Sequence, residues 1–103
     1  MNNEYEVRYI ETFYKDLAKI SKYISIQLKN NIAAHNLITD IEKAINKRKS
    51  NPLGYEKFDS TRKRKETYYK IYVKNYIIFY VIKGNVIEIR RLIYKKRNLE
   101  KII

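Results

Sequence analysis

The sequence predicts an α+β fold: an N-terminal strand, an antiparallel helical hairpin packed on a small antiparallel sheet in the order β-α-α-β-β-β, and a short C-terminal tail helix. Three observations lead there. The first half passes from alternating to helical spacing of its apolar residues. The second half holds Tyr68–Arg97, YYKIYVKNYIIFYVIKGNVIEIRRLIYKKR, rich in aromatic and β-branched residues. Two turn signals, Lys74-Asn75 and Lys83-Gly84-Asn85, divide that stretch into three strands.

The elements follow in order. Tyr5–Ile10 sets Tyr5, Val7 and Tyr9 against Glu6, Arg8 and Ile10, the alternation of a half-exposed strand. Thr12 is suited to cap a helix beginning at Phe13, its hydroxyl accepting a backbone N–H of the first turn. Phe13, Leu17, Ile20, Ile24 and Leu28 then recur at helical spacing, with Lys15, Asp16, Lys19 and Lys22 on the opposite side. Lys29-Asn30-Asn31 interrupts the pattern and can cap the next helix, whose apolar stripe is Ala34, Leu37, Ile38, Ile41, Ala44 and Ile45. Lys47-Arg48-Lys49 complements the negative end of that helix, and Ser50-Asn51-Pro52 stops it. So short a break between helices favours a hairpin.

Pro52–Glu66 reads as a loop containing the run Arg62-Lys63-Arg64-Lys65, a solvated surface that also widens a positive face. Thr67–Val73, Tyr76–Ile82 and Val86–Tyr94 are the strands. Tyr76–Ile82 is apolar on both faces and belongs in the sheet interior, covered by helices on one side. The other face is expected to be a shallow basic and aromatic surface. Asn98–Ile103 suggests one or two helical turns.

Composition narrows the function. A chain of 103 residues supports one domain, residues 1–103, with a modest core. It has no cysteine, so neither a disulfide framework nor a thiolate metal site is expected, and a reducing compartment fits. The acidic, alternating start is unlike a signal peptide, and no run is long and apolar enough to span a bilayer. These features point to a cytoplasmic protein with no membrane partner. Net charge is +12: residues 1–51 carry 9 Lys/Arg against 6 Asp/Glu, residues 52–103 carry 14 against 5. Basic charge gathered with the strands calls for an anionic partner, nucleic acid or an acidic protein, although a Lys-rich background gives a plainer origin. The order of elements excludes a double-stranded-RNA-binding domain and an RNA-recognition motif.

Taken together, YYKIYVKNYIIFYVI, NVIEIRRLIYKKRNLEKII, FYKDLAKISKYI and NNIAAHNLITDIEKAI ahead of Ser-Asn-Pro resemble the RelE/ParE family of bacterial toxins from type II toxin–antitoxin modules. The resemblance covers nearly the whole chain and includes element order. It implies a growth-inhibiting toxin held by a cognate acidic antitoxin, with either of two targets. RelE-like members cleave mRNA in the ribosomal A site, and ParE-like members poison DNA gyrase. Under the ribonuclease reading Lys70 matches a RelE lysine, Arg91 and Lys95-Lys96-Arg97 supply phosphate clamps, and Tyr72 or Tyr94 stacks on a base. Such chemistry needs no metal and no cofactor. Yet Tyr72 stands where RelE-like enzymes carry a second lysine, Tyr76 where they carry an arginine, and Asn98–Ile103 offers no counterpart of their terminal catalytic residue.

The ParE-like reading fits the hairpin of about 38 residues from Phe13 to Ser50 and the ending LIYKKRNL. It makes the basic strand and tail a docking surface for gyrase. A third reading is a nucleic-acid-binding module or decayed toxin. Plainer roles stand beside each residue: Lys70 as an exposed strand lysine, Arg91 as a core-edge arginine paired with Glu88 or another carboxylate, and the tyrosines as sheet packing. His35 reads as surface or packing, and no residue set suggests a metal site.

Overall fold

The apolar strand Tyr76–Lys83 lies inside a four-stranded sheet of order β1-β4-β3-β2. The computed structural model describes residues 5–52 and 66–97. Its elements are β1 (Glu6–Tyr9), α1 (Glu11–Lys22), a π-helical turn (Tyr23–Gln27), α2 (Asn31–Arg48), β2 (Tyr69–Val73), β3 (Tyr76–Lys83) and β4 (Val86–Tyr94). The last three strands are antiparallel neighbours, as expected from their turns. β1 adds to the outer side of β4 in parallel, from Glu6↔Val86 to Tyr9↔Ile89, which makes the sheet mixed. The tail Asn98–Ile103 and the run Arg62–Lys65 lie outside the described residues.

Both hairpin turns need a left-handed residue. Lys74 adopts φ 53° and Gly84 φ 61°. A β-carbon on Gly84 would meet nothing within 4 Å, so backbone conformation rather than space favours glycine there.

The start of α1 differs from the one its spacing suggests, whereas the start of α2 agrees with it. α1 begins two residues before Phe13, with Ile10 as an extended N-cap making no side-chain bond; Thr12 is not the cap. Glu11 places a carboxylate in the first turn, where it complements the helix dipole. Asn30 does cap α2, its Oδ1 accepting the Ala33 N–H at 3.0 Å. α2 returns beside the start of β1, where the Tyr5 N–H donates to the Lys49 carbonyl at 3.1 Å.

Both helices cover one sheet face. Phe13, Ile24, Ala34, Leu37, Ile41 and Ile45 meet Tyr69, Ile71, Val73, Ile78, Tyr80, Ile87, Ile89 and Leu92 in the main core. The opposite face is only in part the shallow basic and aromatic surface expected from the sequence. Ile77, Phe79 and Ile93 form a second buried cluster there, with Tyr68 packed against it. β3 is therefore apolar on both sides because both sides are buried. Tyr80 is fully buried and donates its hydroxyl to the Pro52 carbonyl at 2.7 Å, tying the end of the helical half to the sheet interior.

Candidate functional site

Strand alternation decides where the singled-out residues of β2 point. Tyr69, Ile71 and Val73 enter the main core, so Lys70 and Tyr72 face the other way. Lys70 Nζ lies 5.5 Å from the centre of the Tyr72 ring, a cation–π distance, and its carbonyl accepts Arg48 Nη1 at 3.1 Å. Lys70 pairs with Phe79 and Phe79 with Arg91, so the three form one cross-strand row. The middle of that row is a phenylalanine with 0% exposure.

Arg91 is held by a carboxylate from across the fold. Its Nε donates to Asp16 Oδ2 at 2.7 Å and its Nη2 to Asp16 Oδ1 at 3.1 Å. The same Oδ2 accepts the Leu92 N–H at 3.0 Å. β1 pairs with β4 only as far as Ile89, and Asp16 meets the β4 backbone just beyond that point. Asp16 thus belongs to the packed side of α1, not the exposed side predicted from spacing; its side chain is 15% exposed. The carboxylate partner of Arg91 is Asp16, and Glu88 is engaged elsewhere.

Glu88 belongs to a network the sequence did not suggest. A β-bulge opposite Phe79 and Tyr80 leaves Arg90 as the extra residue of β4. Arg90 donates to Glu88 at 2.6 and 2.9 Å, to Glu66 at 2.9 and 3.1 Å and to the Tyr68 hydroxyl at 3.3 Å. Lys83 reaches Glu66 at 3.0 Å and Arg8 reaches Glu88 at 3.7 Å. Burial alone would lower the Arg90 pKa, but the hydrogen bonds it donates to Glu66, Glu88 and Tyr68 raise it above its ordinary value. The bonds from Arg90 and then Lys83 hold the Glu66 carboxyl below its ordinary range. The only sequence signal was the short Glu88–Arg90 spacing; the bulge and Glu66 are tertiary.

A different surface forms at the far end of the hairpin. Leu28 N–H bonds to the Tyr23 carbonyl at 3.1 Å, the five-residue closure of a π turn, which turns Leu28 out of the apolar stripe into solvent. Lys19, Ile20, Tyr23 and Leu28 then face Asn75, Tyr76 and Tyr94 across an open groove of about 510 Å³. Tyr76 and Tyr94 meet edge-on at 5.8 Å. Burial first, then the neighbouring Tyr94 and Tyr23, raises the Tyr76 phenol pKa above its ordinary 10.0, keeping it uncharged at neutral pH. The Lys95 N–H donates to the Asn75 carbonyl at 2.9 Å and the Arg97 N–H to the Tyr94 carbonyl at 3.0 Å. These bonds tie the turn that carries the exposed Lys95, Lys96 and Arg97 to Asn75 and Tyr94, two residues that line the groove.

The predicted binding residues therefore separate. Lys70 and Tyr72 share the face away from the helices, whereas Tyr94 and Lys95–Arg97 adjoin the groove beside α1. Lys19, Tyr23 and Tyr76 join the latter, and nothing in helical spacing marks Tyr23 for that role, because the π turn positions it. His35 is exposed on α2. Among the described residues no group of three or more His, Cys, Asp or Glu is placed to hold a metal. No described helix is long and apolar enough to cross a membrane.

No curated protein matches the chain in sequence. Among solved structures, the chromosomal ParDE toxin–antitoxin system from P. aeruginosa is similar over 90% of this chain and 98% of that one, with TM-score 0.71 and 13% identity. The RelBE2 toxin–antitoxin complex from Mycobacterium tuberculosis is similar over 88% and 98%, with TM-score 0.56 and 19% identity. Such identities establish a shared fold. The family described as ParE toxin of type II toxin–antitoxin system, parDE, matches residues 7–99. With this match spanning nearly every element of the fold, the chain belongs to the ParE toxins of type II toxin–antitoxin systems, within the wider RelE/ParE family.

Proposed function

We propose that this toxin arrests growth by docking on DNA gyrase, not by cutting mRNA, and that a cognate acidic antitoxin neutralises it. The observation that carries the reading is the Lys70–Phe79–Arg91 row. Metal-free RNA cleavage needs several cations converging on one phosphate, with a base at the 2′-hydroxyl. Here a buried phenylalanine separates the two candidate cations, and Asp16 engages Arg91 in two hydrogen bonds. Tyr72, beside Lys70, adds no second ammonium. The family match supports the ParE-like choice.

The antitoxin follows from charge and relationship. A net charge of +12 favours an acidic partner, and both similar structures are toxin–antitoxin assemblies. Induction of the toxin alone is expected to stop growth, and co-expression of the adjacent small open reading frame to restore it.

The purified protein decides the target. Gyrase supercoiling with trapped DNA cleavage is measured beside mRNA cleavage in a translating extract. Inhibited gyrase with intact mRNA is the expected result; cleaved mRNA with unaffected gyrase would sink the proposal. Lys70→Ala gives a second reading. A general base would lose about 100-fold or more in activity, whereas a docking lysine loses much less.

A further inference from the structure

We infer that the groove between the π turn and the β3–β4 end binds single-stranded DNA, its tyrosines stacking on bases and its cations holding phosphates. The groove supplies both halves of that recognition. Tyr23 is 54% exposed and Tyr94 38% exposed, one on each wall. Tyr76 meets Tyr94 edge-to-face, so the contact takes up one ring face of the pair rather than two. Aromatic platforms of this kind accept any unpaired base.

Its charge is of one sign. Lys19 lines the groove, Lys22 lines the adjoining depression, and Lys95, Lys96 and Arg97 form the turn bonded to the groove's lining residues Asn75 and Tyr94. None of the groove's lining residues is a carboxylate. Two described acids of the helices are committed elsewhere: Asp16 to Arg91 and Asp40 to Lys74. A strand whose backbone runs along these cations while its bases enter between the tyrosines satisfies charge and shape together. A duplex does not, because its bases are already stacked. The site lies apart from Lys70 and Tyr72, on the helix side of the sheet. Choosing DNA over RNA rests on the gyrase reading; the binding of a single strand does not.

The test is fluorescence anisotropy of the purified toxin with labelled oligo(dT) and oligo(rU), titrated over salt, with circular dichroism confirming the fold of each variant. Oligo(dT) should bind with a log–log salt slope of about −2 to −3.5, the value for three to five neutralised phosphates. Tyr23→Ala and Tyr94→Ala should each weaken binding about 5-fold or more. Lys96→Ala should reduce the slope by about 0.7. Tyr14→Ala and Lys47→Ala, an exposed aromatic and an exposed cation away from the groove, should change affinity by less than about 2-fold.

Three results would overturn the inference: no oligo(dT) binding at about 50 mM salt, binding that ignores both tyrosine substitutions, or consistently tighter binding of oligo(rU). Gyrase inhibition measured on the same preparations separates the two claims. Inhibition without oligonucleotide binding removes only the groove; oligonucleotide binding without inhibition supports the groove and removes only the target.

Discussion

Asp16 and Arg91 lie 75 positions apart, yet their side chains form a two-point ion pair, and the same carboxylate accepts the Leu92 N–H. One residue of α1 thus satisfies both a side chain and a backbone donor of β4. The pair is three-quarters or more shielded from solvent on each side. Removing Asp16 takes two hydrogen bonds from a shielded guanidinium and one from the Leu92 N–H, which costs more than a surface ion pair is worth.

Asp16→Ala should therefore lower stability by roughly 2–4 kcal/mol. Chemical denaturation measures it, and a loss below about 0.5 kcal/mol would show the pair to be incidental. The double substitution Asp16→Ala with Arg91→Ala should recover part of the loss, because the guanidinium that lost its two bonds to Asp16 is removed as well.

Tyr80→Phe isolates the bond to the Pro52 carbonyl. The ring still fills its place, so only the hydroxyl is lost, and a buried carbonyl loses its donor. A destabilisation of about 1–2 kcal/mol is expected in the same denaturation experiment. An unchanged midpoint would mean that the carbonyl finds another donor.

Glu66 predicts an acid sensitivity with a definite sign. Its folded-state pKa is lowered, chiefly by the hydrogen bond from Arg90, so its contribution is fully present above the ordinary value of 4.5. That contribution fades as pH falls through the lower folded-state value. The melting temperature of the parent should drop in that acidic window, and Glu66→Gln should drop less steeply there while being less stable at pH 7. Parallel curves for the two proteins would rule the carboxylate out.

Ser21 offers the opposite test. Its hydroxyl oxygen is buried without a hydrogen-bond partner. Ser21→Ala should leave stability unchanged or raise it, since an unmet polar atom is removed with little change of volume. A marked drop in melting temperature would reveal a partner for the hydroxyl.

Much of the fold was legible because it rests on local rules. Alternation and turn residues marked β2, β3 and β4, and Asn30 marked the start of α2. What escaped was set by tertiary geometry. The π turn at Tyr23–Gln27 shifts helical phase, so Leu28 leaves the stripe that its spacing assigns. Asp16 looks like a surface acid until the end of β1 leaves a β4 amide for it to meet. The burial of Phe79 on the second face depends on neighbours that no strand pattern specifies. The candidate site divided for the same reason: Tyr72 and Tyr94 look alike in sequence, but opposite parity sends them to opposite sides of the sheet.

The parallel pairing of β1 with β4 sets a timetable for synthesis. Glu6 meets Val86 across 80 positions of chain, so β1 is made long before its partner β4. Loop closure over that span costs entropy, and contacts so distant in sequence slow folding. On the ribosome, the helices emerge with no sheet to cover and β1 has no neighbour. The sheet therefore closes only once β4 has been made. A nascent chain that lacks β4 has neither the parallel strand pair nor the groove wall that Tyr94 supplies.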